Sequence, residues 1–265
     1  APSAQWRYIA CVGKTLYGSG GDKRIFAIDA ETGKYKWTHN TSKMMPVTIT
    51  IGDGRVYYID RTVTEAQKQE GLKGVTEKAR RDSRGKPIPP DVRLVVCLNA
   101  ETGKVEWSKP LYVSDCIPQI TYGHGDLTLM YSKNVLLMTV QPWNGHFWRE
   151  FFAGKFSRRS LVAIEGDSGK TLWSGNKGYR SRPIIVGDQI IAEPWSHDLR
   201  TGEVKTRNHP ITEATERWQF ARPGHHCGNI AASPNMLFFR SGDASYYDLQ
   251  SDSGTVHFGG QRPGC

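Results

Sequence analysis

No two cysteines in this chain are adjacent, and none stand in a C-x-x-C or C-x-x-C-H spacing; the five are Cys11, Cys97, Cys116, Cys227 and Cys265. That excludes a zinc knuckle and a covalently attached c-type haem. No apolar run approaches the ~20 residues a membrane helix needs, so no spanning helix is expected. Neither a phosphate-cradling glycine loop nor a nucleophile paired with its base can be identified. The net charge is +9, but no nucleic-acid motif accompanies it, so the charge reads as a solvated basic surface and nucleic acid is not an expected partner. No signal peptide is visible, and Ala1-Pro2-Ser3-Ala4 is compatible with a mature, trimmed or cloned start.

What the chain does have is aromatic residues and a repeat. Eleven Tyr, nine Phe and eight Trp in 265 residues suit an all-β protein. An apolar content of 38% allows one large core or two modest ones, and 23% charged residues argues against wholesale disorder. The stretch Ile25-Phe26-Ala27-Ile28-Asp29-Ala30-Glu31-Thr32-Gly33-Lys34-Tyr35-Lys36-Trp37 is a strand, a Thr-Gly turn and a second strand closing on Trp. The pattern returns around Gly103 and Trp107, then around Gly169 and Trp173, and more weakly around Gly202 and Gly254. With the insertions removed, the first spacings fall near 40–46 residues, the length of one four-stranded propeller blade. The fold expected is therefore an all-β propeller of about five recognisable blades, forming a single domain over 1–265. A closed ring needs more blades, so the expectation is a larger propeller, truncated here or continued by another chain at the C-terminus.

Two insertions interrupt the pattern. The first, 62–90, reads as a helix capped by Thr64 and running from about Glu65 to Arg81, then an extended connector from Arg84 to Pro90. The second, 141–160, packs Trp143, Phe147, Trp148, Phe151, Phe152 and Phe156 among Arg149, Lys155, Arg158 and Arg159. It reads either as packing or as an aromatic site for a sugar or ring, with Trp143, Trp148 and Arg149 as cofactor-binding candidates. Cys11 and Cys97 lie in apolar strands and read as inert core thiols. Arg180 and Arg182 read as anion ligands or as solvated rim charges.

The motif A-x-D-x-x-T-G-K-x-x-W resembles the PQQ-like β-propeller repeat of quinoprotein alcohol dehydrogenases and of an outer-membrane assembly lipoprotein. Residues 178–265, through Gly178-Tyr179-Arg180-Ser181-Arg182-Pro183, Arg222-Pro223-Gly224-His225-His226-Cys227-Gly228 and Phe258-Gly259-Gly260-Gln261-Arg262-Pro263-Gly264-Cys265, resemble exported bacterial multidomain proteins. The resemblance implies a periplasmic or extracellular location and assigns Trp37, Trp107 and Trp173 to blade interfaces, with Gly33, Gly103 and Gly169 as structural turn residues. It does not deliver PQQ, because those dehydrogenases carry a vicinal cysteine pair that is missing here. A Cys227–Cys265 disulfide between neighbouring blades is one structural use of those two thiols.

The sharpest chemical signal is Arg222 to Asn229. His225 and His226, joined by His197, are candidate metal ligands, and His225, His226, Arg222 and Asn229 are candidate catalytic groups. The cofactor implied is a metal ion. The structural alternative is that the loop histidines are hydrogen-bonded packing residues. The leading functional reading is an exported, non-catalytic propeller module that binds a protein or glycan partner or organises a larger assembly. The alternative is an enzyme at the propeller's central opening, a metal-assisted oxidoreductase or polysaccharide lyase using the His225/His226 loop.

Overall fold

The turn after each second apolar strand is what builds this fold. In the computed structural model, which describes residues 6–20, 23–44, 48–76, 80–81, 84–116, 126–141, 153–154, 159–209, 211–222 and 228–260, Asp29 Oδ1 accepts from the Thr32 amide and the Thr32 hydroxyl, both at 2.8 Å. The Gly33 amide closes onto the Asp29 carbonyl at 2.9 Å, with Gly33 at φ +69. The Thr32 amide bond, ahead of the hydroxyl, holds the Asp29 carboxyl below its usual range. Asn99 repeats the arrangement for Thr102, and Asp198 for Thr201. An Asx turn of this kind reverses the chain wherever the repeat places Asp or Asn four residues before a left-handed glycine.

The fold is all-β, of propeller type. The first sheet orders β1 (Trp6–Val12), β2 (Thr15–Gly20), β3 (Arg24–Asp29) and β4 (Tyr35–Asn40) as an antiparallel meander. The second is built from β5 (Thr50–Gly52), β6 (Arg55–Asp60), β9 (Val92–Asn99) and β10 (Val105–Tyr112). Between β6 and β9 lie α1 (Glu65–Gly71) and a hairpin of β7 (Arg80–Arg81) and β8 (Pro87–Ile88). The third sheet holds β11 (Asp126–Ser132), β12 (Val135–Gln141), β13 (Ser160–Glu165) and β14 (Thr171–Asn176). The fourth has three strands, β15 (Ile184–Val186), β16 (Gln189–Ala192) and β17 (Trp195–Asp198), followed by a hairpin of β18 (Thr206–Asn208) and β19 (Thr215–Arg217). The fifth is β20 (Ala231–Ala232), β21 (Met236–Ser241), β22 (Asp243–Asp248) and β23 (Thr255–His257).

The chain forms two compact units, one of Ala1–Ser114, Leu127–Leu136 and Ile164–Lys170, the other of Asp115–Asp126, Leu137–Ala163 and Thr171–Cys265. In the first unit Trp37 is buried and donates its indole N–H to the Ala100 carbonyl at 2.8 Å. Its ring lies on Gly103, where a β-carbon would come within 2.6 Å of it. Tyr17, Ile25, Ala27, Val56, Tyr58, Val96 and Leu98 complete that core. Trp107 repeats the arrangement on the Gly166 carbonyl, at 3.0 Å, with its ring against Gly169. In the second unit Trp173 does the same on the Leu199 carbonyl, at 3.0 Å, and Gly202. Each is an indole laid on a glycine of the next turn, with its polar edge satisfied by a carbonyl.

Four sequence expectations need correcting. The helix stops at Gly71, not near Arg81. Thr64 and Gln67 form a capping box at its start, but Leu72 caps its end and Gly74 takes φ +74, so the chain leaves the helix and later pairs as β7 and β8. Cys11 is exposed, not in a core, because with Ile9 it lies on the face of the first sheet opposite the one that Tyr17, Ala27 and Trp37 bury. The fourth sheet lacks a fourth strand among the described residues, because after Gly202 the chain makes only a bridge between His197 and Val204 before turning into β18. Finally, Asp252 rather than Gly254 occupies the turn position equivalent to Gly33. Its amide bonds the Asp248 carbonyl at 3.0 Å and its φ is +49. Its carboxylate accepts from Arg207 Nη1 at 2.6 Å, from the Trp218 indole at 3.2 Å and from the Tyr247 hydroxyl. A carboxylate and its donors thus stand where the turns of Gly103, Gly169 and Gly202 place a glycine under a tryptophan.

Candidate functional site

The site grows from β16. Its Ile190, Ile191 and Ala192 are fully buried, and the apolar run continues without a break into Glu193, which is buried to the same degree. A lone buried carboxylate would be untenable, so it must be paired. Glu193 Oε1 accepts from Arg180 Nη2 at 2.6 Å and from the Arg222 amide at 2.8 Å. Oε2 accepts from the Ser181 hydroxyl at 2.7 Å and from Arg222 Nη2 at 3.1 Å. The Arg180 amide bonds the Glu193 carbonyl at 2.8 Å, and the Phe220 amide bonds the Pro194 carbonyl at 2.8 Å, which brings both arginines alongside. Arg222 Nη1 reaches on to the Gly228 carbonyl at 3.0 Å.

The electrostatics follow from burial. Burial alone would raise the Glu193 carboxyl, but Arg222 and Arg180 outweigh it and hold the group at about 2. Burial lowers Arg180 to about 10 despite Glu193. Arg159 is also buried and lowered to about 10, and its Nη1 donates to the Tyr179 and Arg180 carbonyls at 2.8 and 2.7 Å. The Tyr179 hydroxyl accepts from the Val140 amide at 2.9 Å. Arg182 is half-buried, and burial lowers it too.

Chemically, this cluster is closed. Glu193 carries no proton at neutral pH to donate, and both its oxygens are already occupied, so it is neither acid nor base. Arg222, a candidate catalytic group, is spent on Glu193 and Gly228. Asn229 lies beyond Gly228 and is exposed. His225, His226, Cys227 and Cys265 lie outside the described residues, as do Trp143, Trp148 and Arg149. Arg180 is neither a rim charge nor an open anion ligand; its guanidinium is fully buried on Glu193. Sequence reasoning missed Glu193 altogether. The available signal was a carboxylate ending an Ile-Ile-Ala strand, a position with no route to water.

His197, on β17, is 2% exposed, and among the described residues neither ring nitrogen makes a hydrogen bond of good geometry, the Gly202 carbonyl being a near neighbour only. Burial first, then the charges of Lys177 and Arg217, push it down to about 4, with the Gly202 carbonyl acting the other way. The charges that act on the ring are those of two cations, where a metal site would gather carboxylates or thiolates. Among the described residues no group of three or more His, Cys, Asp or Glu is placed to hold a metal. The folded-state value lies below the unfolded one of 6.5, so the unfolded chain binds the extra proton. His197 therefore contributes stability in full above pH 6.5 and loses it as pH falls toward 4, about 3 kcal/mol in all. Denaturant melts of the wild type and His197→Gln across that window test this; the variant's curve is expected to be flatter, and parallel curves would refute it.

No family model matches the chain, and no curated protein matches it. Among solved structures it is similar to a europium-containing methanol dehydrogenase, with a TM-score of 0.48 and 12% identity over 96% of this chain and 52% of that one. It is also similar to the quinohemoprotein alcohol dehydrogenase ADHIIG from Pseudomonas putida HK5, with a TM-score of 0.37 and 15% identity over 94% of this chain and 34% of that one. A third similarity is to U3-55K, with a TM-score of 0.46 and 10% identity over 94% and 63%. The chain spans about half the length of the methanol dehydrogenase.

Proposed function

We propose that this chain is an exported, non-catalytic propeller module that organises a larger assembly. The observation that supports the reading is the closed Arg180–Glu193–Arg222 cluster, in which Arg222, the one charged catalytic candidate among the described residues, is taken up by Glu193. Export rests on the resemblance of residues 178–265 to exported multidomain proteins. The residues do not fit PQQ. The sequence has no adjacent cysteines, and two groups able to hold the quinone's carboxylates, Arg180 and Arg222, are already closed on Glu193.

Elemental analysis with non-reducing intact mass tests the module reading against a metalloenzyme. The expected result is no stoichiometric transition metal. A stoichiometric metal lost on His226→Ala would overturn the module reading in favour of an enzyme at the His225/His226 loop.

A further inference from the structure

Trp37, Trp107 and Trp173 each lie on a turn glycine and donate to the carbonyl three residues before it. Trp218 meets its turn differently, because that turn carries Asp252 at the glycine position. Its indole N–H donates to the Asp252 carboxylate at 3.2 Å. The Leu249 carbonyl, which corresponds to those of Ala100, Gly166 and Leu199, is left without an indole. A side chain stands where a ring would rest, and the indole is held off. Beside it lies a cavity of about 350 Å³, lined by Val186, Gln189, Trp218, Pro234, Leu249 and Asp252. All six residues belong to the second unit, and the volume lies within the range of small-molecule sites, about 300–1,000 Å³.

The walls follow from the strands that carry them. Val186 and Gln189 pair directly across the β15–β16 hairpin and so share a face. Val186, Trp218 and Leu249 pack against the buried core of Ile191, Phe220, Leu237 and Tyr247. The Leu249 amide bonds the Asn235 carbonyl at 2.9 Å, which brings the Pro234 hairpin alongside. Two polar groups stand among these apolar walls. Gln189 is half-buried, and among the described residues no side-chain hydrogen bond engages it. A carboxylate offers about four acceptor sites, and at Asp252 the donors are Arg207, Trp218 and Tyr247. One site remains. Arg207 holds Asp252 at 2.6 Å and Glu216 at 2.8 Å, so the carboxylate's charge is already met.

We propose that this cavity binds a neutral pyranose ring. An anion is repelled by Asp252, and a bare cation finds a carboxylate that Arg207 has already neutralised. A ring that carries hydroxyls around an apolar body meets every wall. One hydroxyl donates to the free site on Asp252, and others exchange hydrogen bonds with the Gln189 amide, which offers two donors and an acceptor. The C–H face of the ring takes the place of the absent indole against Leu249, Val186 and Pro234, beside Trp218. The inference goes beyond the module reading and does not depend on it.

The test is saturation-transfer NMR on the full chain with the methyl pyranosides of glucose, galactose, mannose and xylose, beside benzylamine as a cation and benzoate as an anion. At least one pyranoside is expected to bind with a dissociation constant of about 1 mM, the affinity of a small ligand with few hydrogen bonds; benzoate is expected not to bind. Fluorotryptophan labelling locates the site: the resonance of Trp218, assigned by its loss in Trp218→Phe, is expected to shift on titration while the others stay. Gln189→Ala strands no partner and is expected to weaken binding about tenfold. Asp252→Gly restores the residue of the other turns, lets the indole settle toward the Leu249 carbonyl, and is expected to abolish binding. Its melting curve shows whether it folds, and where it does not, Gln189→Ala decides. Binding by none of the pyranosides overturns the proposal, as does binding indifferent to Gln189→Ala or benzylamine bound in place of every sugar. Each of these results leaves the module reading standing, whereas a stoichiometric metal at the histidine loop overturns that reading and not the cavity.

Discussion

Glu193→Ala is expected to destabilise the second unit by about 3–5 kcal/mol, the cost of leaving buried charge uncompensated. Removal of the carboxylate leaves Arg180 and Arg222 facing each other, both with fully buried side chains, and strands the Ser181 hydroxyl and the Arg222 amide. Glu193→Gln keeps the shape and an acceptor but loses the charge, and is expected to cost nearly as much. Arg180→Met with Glu193→Gln, by contrast, removes one cation with the anion and should recover part of the loss. Urea unfolding of the four proteins checks the ordering; a Glu193→Ala midpoint equal to wild type refutes the structural role. The pH dependence is distinct from that of His197. The folded-state value of about 2 lies below the ordinary 4.5, so the contribution is complete above pH 4.5. It is lost as pH falls from there toward 2, a window below that of the histidine.

How far the sequence alone leads differs between backbone and site. The Asx turn at Asp29, Asn99 and Asp198 is local: an acceptor, a threonine and a glycine at fixed spacing make it wherever they occur, so the repeat and the strand positions are legible. The helix end was misjudged because Glu, Lys and Arg favour helix on average, while Gly71 and Gly74 act at single positions. At Gly71 a β-carbon would come within 2.6 Å of Val92, a contact over twenty residues away that no local pattern reveals. Asp252 escaped for a similar reason. Gly254 offered the expected residue type two positions later, and only the Arg207, Trp218 and Tyr247 side chains explain an aspartate at positive φ. Glu193 was hidden most completely, since three separate segments, around 180, 193 and 222, must meet before it has any meaning.

Gly103→Ala is expected to cost about 2–5 kcal/mol, and Gly33→Ala only about 1–2 kcal/mol. The two glycines share φ +69, so the left-handed backbone penalty of roughly 1–2 kcal/mol is common to both. What differs is the space. The new methyl at Gly103 would meet the Trp37 ring at 2.6 Å, so the indole must shift, weakening its 2.8 Å bond to Ala100; at Gly33 it meets nothing. Overpacking of that kind adds about 1–3 kcal/mol. Trp37→Ala isolates the seam. By itself it removes a large buried ring at about 3–5 kcal/mol, but in its presence Gly103→Ala has no ring left to collide with and should fall to the cost of Gly33→Ala. The coupling between positions 37 and 103 in a double-mutant cycle is thus expected to be at least 1 kcal/mol, and between 37 and 33 near zero. Additive behaviour at 37 and 103 would mean that turn conformation alone selects glycine there. Coupling would mean that the tryptophan selects it, and that the sequence spacing of Gly and Trp is set by the meeting of two sheets rather than by the turn that contains it.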